Sequence, residues 1–416
     1  MTHFLALFQA TKSQQTITKT VVIYNTEITW VVVVLVVAWL VWFFIQRYRQ
    51  ANIKRRLPKQ SEDTRLKKIV KIKDELSAIW LRRGTSKKIH AIGIGKLENG
   101  EHCIQIFIND ANERMFDNPP SDSIPNNYKN ISVVLIAMPQ ASFLSTENYF
   151  AEFSSEEYRK LIREQQNVLM GGISGANSNL DGQCGTIGYF CRKKSLIPRK
   201  SEVYLLSNSH VFADLCKGVV DEHDLIMQPS PGESAANRPI AELTDFAHPK
   251  LENDTNEANF VDAAIAKLWK QQIHKPIVPM IGTVKGFVEK DDVEVGETSQ
   301  KFGRTTGFTK GKVFSIHLDI WVRYDRTGQS SFFKNQFLIE PDKEVYEKFV
   351  EKGDSGSLVV DGENFASGLI FAGANGDIEI KESMNEGGAN IVKQVNNYGV
   401  ANPISEVMKK LKIELI

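Results

Sequence analysis

In Gly353-Asp354-Ser355-Gly356-Ser357 a serine stands between glycines, the setting in which a tight turn holds a hydroxyl out toward a reacting group. A serine hydroxyl is a weak nucleophile at neutral pH. Attack on an amide or ester needs a base within hydrogen-bond reach and a third group that fixes the tautomer of that base. Both lie upstream: His210 in Leu-Leu-Ser-Asn-Ser-His-Val-Phe-Ala, and Asp262 in Phe-Val-Asp-Ala-Ala-Ile-Ala. In that reading His210 takes the Ser355 proton and later hands it to the leaving group, while Asp262 orients the imidazole and stabilises its charged form. The backbone amides of Gly353 and Ser355 are the natural donors to the oxyanion.

Each piece alone is weak, since a Gly-Asp-Ser-Gly string can be a plain turn and a histidine at a strand end is commonly structural. Asp262 adds weight because a carboxylate in an apolar run is costly unless it is paired. The chain order His, Asp, Ser is one established for this chemistry. The remaining histidines, among them His90, His248, His274 and His317, lack such surroundings. Cys103, Cys184, Cys191 and Cys216 show no paired metal-type spacing, and they read as reduced thiols. Gly303-Arg304-Thr305-Thr306-Gly307 lacks the Gly-Lys-Ser/Thr ending of a nucleotide loop and reads as a β-turn. No metal or cofactor is expected.

The elements that must position these residues follow from the periodicity. Beyond Ile173, short β-rich runs alternate with Gly, Asn, Asp and Pro turns, among them 185–190, 203–207, 259–269, 311–323, 337–340, 357–360 and 367–372, which predicts an all-β barrel or sandwich. A short helix is expected over 404–411. Ahead of this region, apolar residues recur every three to four positions over 61–83, predicting an amphipathic helix. Strands are expected at 90–96, 103–108 and 131–138, the first two joined at Asn99-Gly100. Residues 109–130 read as a long loop, 61–145 as a small α+β accessory domain, and 153–170 as a helix within a connector spanning 146–171, stopped by Gly171-Gly172.

With 416 residues, 42% of them hydrophobic and 24% charged, the chain has ample core material, and its net charge of +1 gives no reason to expect a nucleic-acid partner. Residues 28–45 carry no charge and, as a helix, measure about 27 Å, which predicts a transmembrane span after a short extracytoplasmic segment, 1–27. The juxtamembrane linker 46–60 holds Arg47, Arg49, Lys54, Arg55, Arg56 and Lys59 and no acid. The positive-inside rule then places the C-terminal part in the cytoplasm of a single-pass inner-membrane protein.

On the sequences around His210, Asp262 and Ser355, separated by 52 and 93 positions, residues 172–416 resemble the trypsin-like, chymotrypsin-fold serine proteases. Gly185-Thr186-Ile187-Gly188 and Lys301-Phe302-Gly303-Arg304-Thr305-Thr306-Gly307 support the likeness, and bacterial and plant members with a small N-terminal domain are nearest in pattern. The resemblance implies a mainly β fold of two six-stranded antiparallel barrels, His210 and Asp262 coming from the first and Ser355 from the second. It implies a protein or peptide substrate and places Phe349, six residues before the serine, in the specificity pocket, where it favours apolar or shallow binding. Here the serine is followed by Gly-Ser where relatives carry Gly-Gly, and the cysteines of secreted relatives are absent. In animal relatives a freed N-terminal amine pairs with the acid before the serine, here Asp354; no such clip is expected at Ile173.

Three functional expectations result. The first is a membrane-anchored cytoplasmic serine endopeptidase, held quiet until a membrane or partner event in bacterial defence or stress response, with a regulatory partner of open identity. The second is a catalytically idle barrel pair serving as a tethered binding or sensing module. The third is self-release from the membrane by cleavage within the basic tract 47–59.

Overall fold

The computed structural model describes residues 30–43, 55–56, 64–82, 89–109, 124–144, 146–147, 160, 162–180, 182–194, 202–213, 224–233, 236–253, 255–325, 327–376 and 391–416. The chain divides into two compact units, Met1–Arg55 and Arg56–Ile416.

In the first unit residues 30–43 form helix α1, whose valine and tryptophan side chains are largely exposed. These 14 residues measure about 21 Å, short of a bilayer core of about 30 Å. Among the described residues no helix is long and apolar enough to cross a membrane. The rest of the expected span, residues 28, 29, 44 and 45, lies outside the described residues, as does most of the basic linker.

The second unit is mainly β and is built on two sheets. It opens with helix α2 (Thr64–Trp80), which buries Ile69, Ile72, Lys73, Leu76 and Ser77. The spacing of these positions puts them on one face, and each buried apolar side chain contributes about 1.5–3 kcal/mol. They pack with Ile92 and Ile94 of β1 (Ile89–Lys96), Ile104 and Ile106 of β2 (His102–Ile108), and Val133 and Leu135 of β3 (Ile131–Ala137). Lys73 reaches Asp319 at 2.9 Å, both fully buried.

The sheet that carries the histidine and the aspartate includes β4 (Tyr189–Lys193), β5 (Tyr204–Ser207), β6 (Leu225–Gln228), β7 (Arg238–Phe246) and β8 (Ala264–Leu268). With the C-terminal strand Ile413–Leu415 beside β4 and the pair Ala176–Asn177 beside β6, it is an antiparallel path of seven in the order Ile413–Leu415, β4, β5, β8, β7, β6, Ala176–Asn177.

The serine's sheet contains β9 (Thr298–Gly303), β10 (Gly307–Tyr324), β11 (Gln329–Pro341), β12 (Leu358–Asp361), β13 (Phe365–Ala374), β14 (Ile391–Gln394) and β15 (Tyr398–Pro403). Antiparallel pairings run β9–β12–β13–β15–β11–β10 and return from β10 to β9. The 18 residues of β10 serve two neighbours: its first part pairs with β9, and its second part also pairs with β1 through Ala91–Ile320 and Ile94–Ile316. Burial along β10 alternates at first and then becomes nearly continuous, as expected once a strand is covered on both faces. Strands β1, β2 and β3, from the segment expected as an accessory domain, thus extend the serine's sheet. Helix α3 (Ser209–Phe212) and helix α4 (Ile404–Lys410) complete the unit.

Of the expected connector helix, residues 160 and 162–170 are described, and only Lys160, Ile162 and Arg163 among them are helical. Val168–Leu169 is a strand paired in parallel with Ile273–His274, and Gly172 N donates to Ile187 O at 2.7 Å, so backbone pairing with neighbouring segments replaces helix at the end of this stretch.

Candidate active site

The register of β5 against β8 brings the histidine to the aspartate. Ser207 lies opposite Ala264, so the residues just past the end of β5 meet those just before β8. There the chain makes the single turn α3, with His210 in it, and Asp262 faces that turn. Asp262 Oδ1 accepts from Ser209 N at 2.7 Å and from His210 N at 3.3 Å, and Oδ2 is hydrogen-bonded to His210 Nδ1. Both side chains are fully buried. The backbone of Asp262 is held as well: its N–H donates to Asn402 Oδ1 at 3.0 Å, and its carbonyl accepts from Asn208 Nδ2 at 2.7 Å. With Nδ1–H donated to the carboxylate, Nε2 is left as an acceptor, and Ser355 Oγ lies 2.7 Å from it.

Ser355 owes its position to the turn that precedes β12. Gly353 has φ +97° and Gly356 has φ +93°, left-handed backbone that suits glycine. At Gly356 space forbids a side chain too, because a Cβ would lie 2.2 Å from both Ser207 Oγ and Thr186 O. The serine turn therefore presses on the end of β5 and on the segment leading into β4, where Thr186 N donates to Ser355 O at 2.9 Å and Thr186 Oγ1 to Gly353 O at 2.9 Å. The Gly-Ser variation is accommodated by Ser357 Oγ donating to Asp354 O at 2.5 Å.

Asp354, between the glycine and the serine, is fully buried and paired with Lys301 Nζ at 3.2 Å. Its Oδ1 accepts from Thr305 N at 2.8 Å and Thr306 N at 3.1 Å, and its Oδ2 from Thr306 Oγ1 at 2.7 Å and Glu351 N at 3.0 Å. The amides of the Gly-Arg-Thr-Thr-Gly turn thus hold a carboxylate of the protein itself. Burial pulls the Lys301 ammonium below the usual lysine range, with Asp354 opposing. Lys301 occupies the role of a counter-ion to the acid before the serine, and Ile173 is buried in chain continuity, its carbonyl bonded to Ile187 N at 2.9 Å.

Of the residues singled out in the sequence, His210, Asp262 and Ser355 come together at one point. Gly353 N donates at 2.8 Å to a carbonyl of the same chain, Leu144 O, next to the serine. Phe349 is fully buried in an apolar cluster with Val350, Ile370 and Leu144. Cys103, Cys184 and Cys191 are buried, and burial raises the Cys103 thiol to about 11. Sequence reasoning passed over Lys301 and Asn402. The usable signal for Lys301 was a lysine two residues from Gly303 on the same inward face of β9; nothing local marks Asn402, which approaches Asp262 only through the pairing of β13 with β15.

No known family profile and no curated protein matches the sequence. Among solved structures the chain is similar to chymotrypsin-fold serine proteases. Thermobifida fusca protease A is 17% identical with a TM-score of 0.37, over 60% of this chain and 98% of that one. A glutamic acid specific serine protease is 14% identical with a TM-score of 0.34, over 60% and 100%. Cellulomonas bogoriensis chymotrypsin is 13% identical with a TM-score of 0.35, over 59% and 97%. Scores this low carry no functional weight, and what the site does follows from its side chains.

Proposed function

We propose that this chain is a serine endopeptidase that hydrolyses peptide bonds through Ser355, His210 and Asp262. The observation that carries the reading is the unbroken hydrogen-bonded line from Asp262 through His210 to Ser355 Oγ, ending beside an amide, Gly353 N, that already holds a peptide carbonyl. As Ser355 Oγ attacks the carbonyl carbon, its proton passes to His210 Nε2, and the charge on the ring is matched by the buried Asp262. The carbonyl oxygen becomes an oxyanion held by Gly353 N and assisted by Ser355 N; one such donor is worth about 3–4 kcal/mol of barrier. His210 then protonates the departing amine, and water repeats the sequence on the ester. The seven-stranded antiparallel sheet and the antiparallel circuit β9–β12–β13–β15–β11–β10 act as the barrel pair that holds the two halves of the site. The Lys301–Asp354 pair supports a serine turn that is set without a freed N-terminus.

The exposed, uncharged residues of α1 and the basic stretch after them support a membrane tether with the protease in the cytoplasm, an arrangement suited to a regulated role in defence or stress response. Replacement Ser355→Ala tests the catalytic reading: peptidase activity falls more than about a thousandfold, and fluorophosphonate labelling of residue 355 is lost. Unchanged activity in the alanine variant would refute it. A full-length chain that stays in the supernatant after membranes are sedimented would refute the tether.

A further inference from the structure

Residues 141–144 run into the site in the manner of the acyl side of a substrate. Ser142–Phe143 pairs antiparallel with β13, Phe143 opposite Ala372 and Ser142 opposite Gly373, and Arg323 N donates to Ala141 O at 2.9 Å. An extended peptide added to an exposed sheet edge is a general mode of peptide recognition. At Leu144 the main chain is fixed from both ends around the serine: its N–H donates to Phe371 O at 3.4 Å, and its carbonyl accepts from Gly353 N at 2.8 Å. Phe371 O is also the acceptor of Ser355 Oγ, at 3.3 Å. Beyond the carbonyl, Thr146–Glu147 pairs antiparallel with Gln183–Cys184. The backbone leading up to the Leu144 carbonyl is thus docked on the serine's sheet, and the chain is held again at Thr146–Glu147.

The side chains agree. Leu144 is buried in the apolar cluster of Phe349, Val350 and Ile370. A Cβ on Gly373 would lie 2.8 Å from Leu144 Cδ2 and 3.0 Å from Val350 Cγ2, so a glycine there leaves the space that the leucine fills. Phe143 stacks at 5.1 Å, tilted 55°, on the ring of His210 and contacts Tyr324, Phe333 and Phe371.

We infer that the enzyme cuts its own chain after Leu144, and that Phe-Leu, with leucine on the acyl side and an aromatic residue before it, is the peptide class its cleft takes. This rests on the peptidase reading above. Ser355 Oγ bonds to the Leu144 carbonyl carbon while its proton moves to His210; the bond to the nitrogen of residue 145 breaks as that nitrogen takes the proton. Water then attacks the ester, its proton again passing through His210, to give the Leu144 carboxylate, a new amine at residue 145 and the free Ser355 hydroxyl. The pieces stay together after the cut, because β1 from one pairs along β10 of the other. Self-cleavage is thereby moved from the basic tract 47–59 to the end of the β1–β3 segment.

The test is denaturing mass spectrometry and N-terminal sequencing of the full-length protein. The expected result is conversion of the wild type to fragments 1–144 and 145–416, first order and independent of concentration, with the new N-terminus reading Ser-Thr-Glu-Asn and with Ser355→Ala intact. Leu144→Asp slows the cut on the order of a hundredfold, because it places a charge in an apolar pocket. Should that variant misfold, the cut wild type is assayed on acetyl-Ala-Ser-Phe-Leu-aminomethylcoumarin against the same peptide ending in Asp, with at least about a hundredfold preference for leucine expected. A wild type that remains whole, is cut elsewhere, or shows no preference for leucine overturns the inference. The peptidase reading is judged apart from it, in a variant with residues 141–147 replaced by a Gly-Ser linker. Fluorophosphonate labelling of Ser355 there sustains that reading even if the wild type is never cut, and absence of labelling there ends it.

Discussion

Replacing Lys301 by Met removes one charge from a fully buried pair and keeps most of the volume. Asp354 then retains its donors from Thr305 N, Thr306 N, Thr306 Oγ1 and Glu351 N but loses its only ion-pair partner among the described residues, 3.2 Å away. Breaking a buried pair by deleting one member costs about 3–5 kcal/mol, because the surviving charge stays desolvated. For a unit of this size that corresponds to a fall in Tm of roughly 4–8 °C. The same loss reaches the chemistry, since Asp354 is flanked by Gly353 and Ser355; displacing the Gly353 amide alone would lower kcat about 100- to 1000-fold. The stability assay is urea unfolding in a Ser355→Ala background, which prevents self-digestion. The companion variant Lys301→Met/Asp354→Asn removes both charges and should recover most of the lost stability, while Lys301→Arg should retain it. The reasoning is refuted if Lys301→Met unfolds at the wild-type urea concentration, or if the double-mutant cycle gives a coupling below about 0.5 kcal/mol.

Asp262→Asn should lower kcat about 10⁴-fold with KM little changed, because an amide cannot hold the His210 tautomer that leaves Nε2 free for Ser355; a loss under tenfold in peptide hydrolysis would count against the triad. Gly188→Ala should reduce kcat about 100-fold, since its Cβ would lie 2.1 Å from Gly356 O and 3.2 Å from Leu206 O, so backbone must move and the serine turn with it; unaltered kinetics would show that the turn is not so braced. His90 is buried with Nε2 2.9 Å from Met138 O, and burial lowers its pKa to about 4. The unfolded chain takes up this proton near pH 6.5 and the folded chain does not until about 4, so the contribution is complete above that range and falls away between pH 6.5 and 4, by at most about 3 kcal/mol. Urea midpoints measured across that window should drop for the wild type and less steeply for His90→Gln; identical slopes would refute the assignment.

The packing of the serine turn against the first sheet gives the site its rigidity. Thr186 touches the turn through both its amide and its hydroxyl, Gly188 and Gly356 leave no room for side chains between the sheets, and Asn402 steadies Asp262 from β15. Movement of either sheet would therefore be felt at the hydrogen bond between His210 and Ser355.

The residues of the chemistry were legible in the sequence because each carries a local mark. Ser355 stands in a glycine turn, Asp262 is a carboxylate in an apolar run, and His210 closes a β-rich run. The same holds for helix α2, for most strands of the two sheets and for α4, whose side-chain periods of 3.6 and 2 are local properties of the chain. What tertiary structure alone decided is who meets whom. Lys301 faces Asp354 across 53 positions and Asn402 faces Asp262 across 140. Leu144, in a stretch read as the end of one domain, lies with its carbonyl at Gly353, more than 200 positions along the chain. Such meetings depend on strand order and register, which side-chain periodicity leaves open, because an inward-facing position is written the same way whichever strand comes to lie beside it.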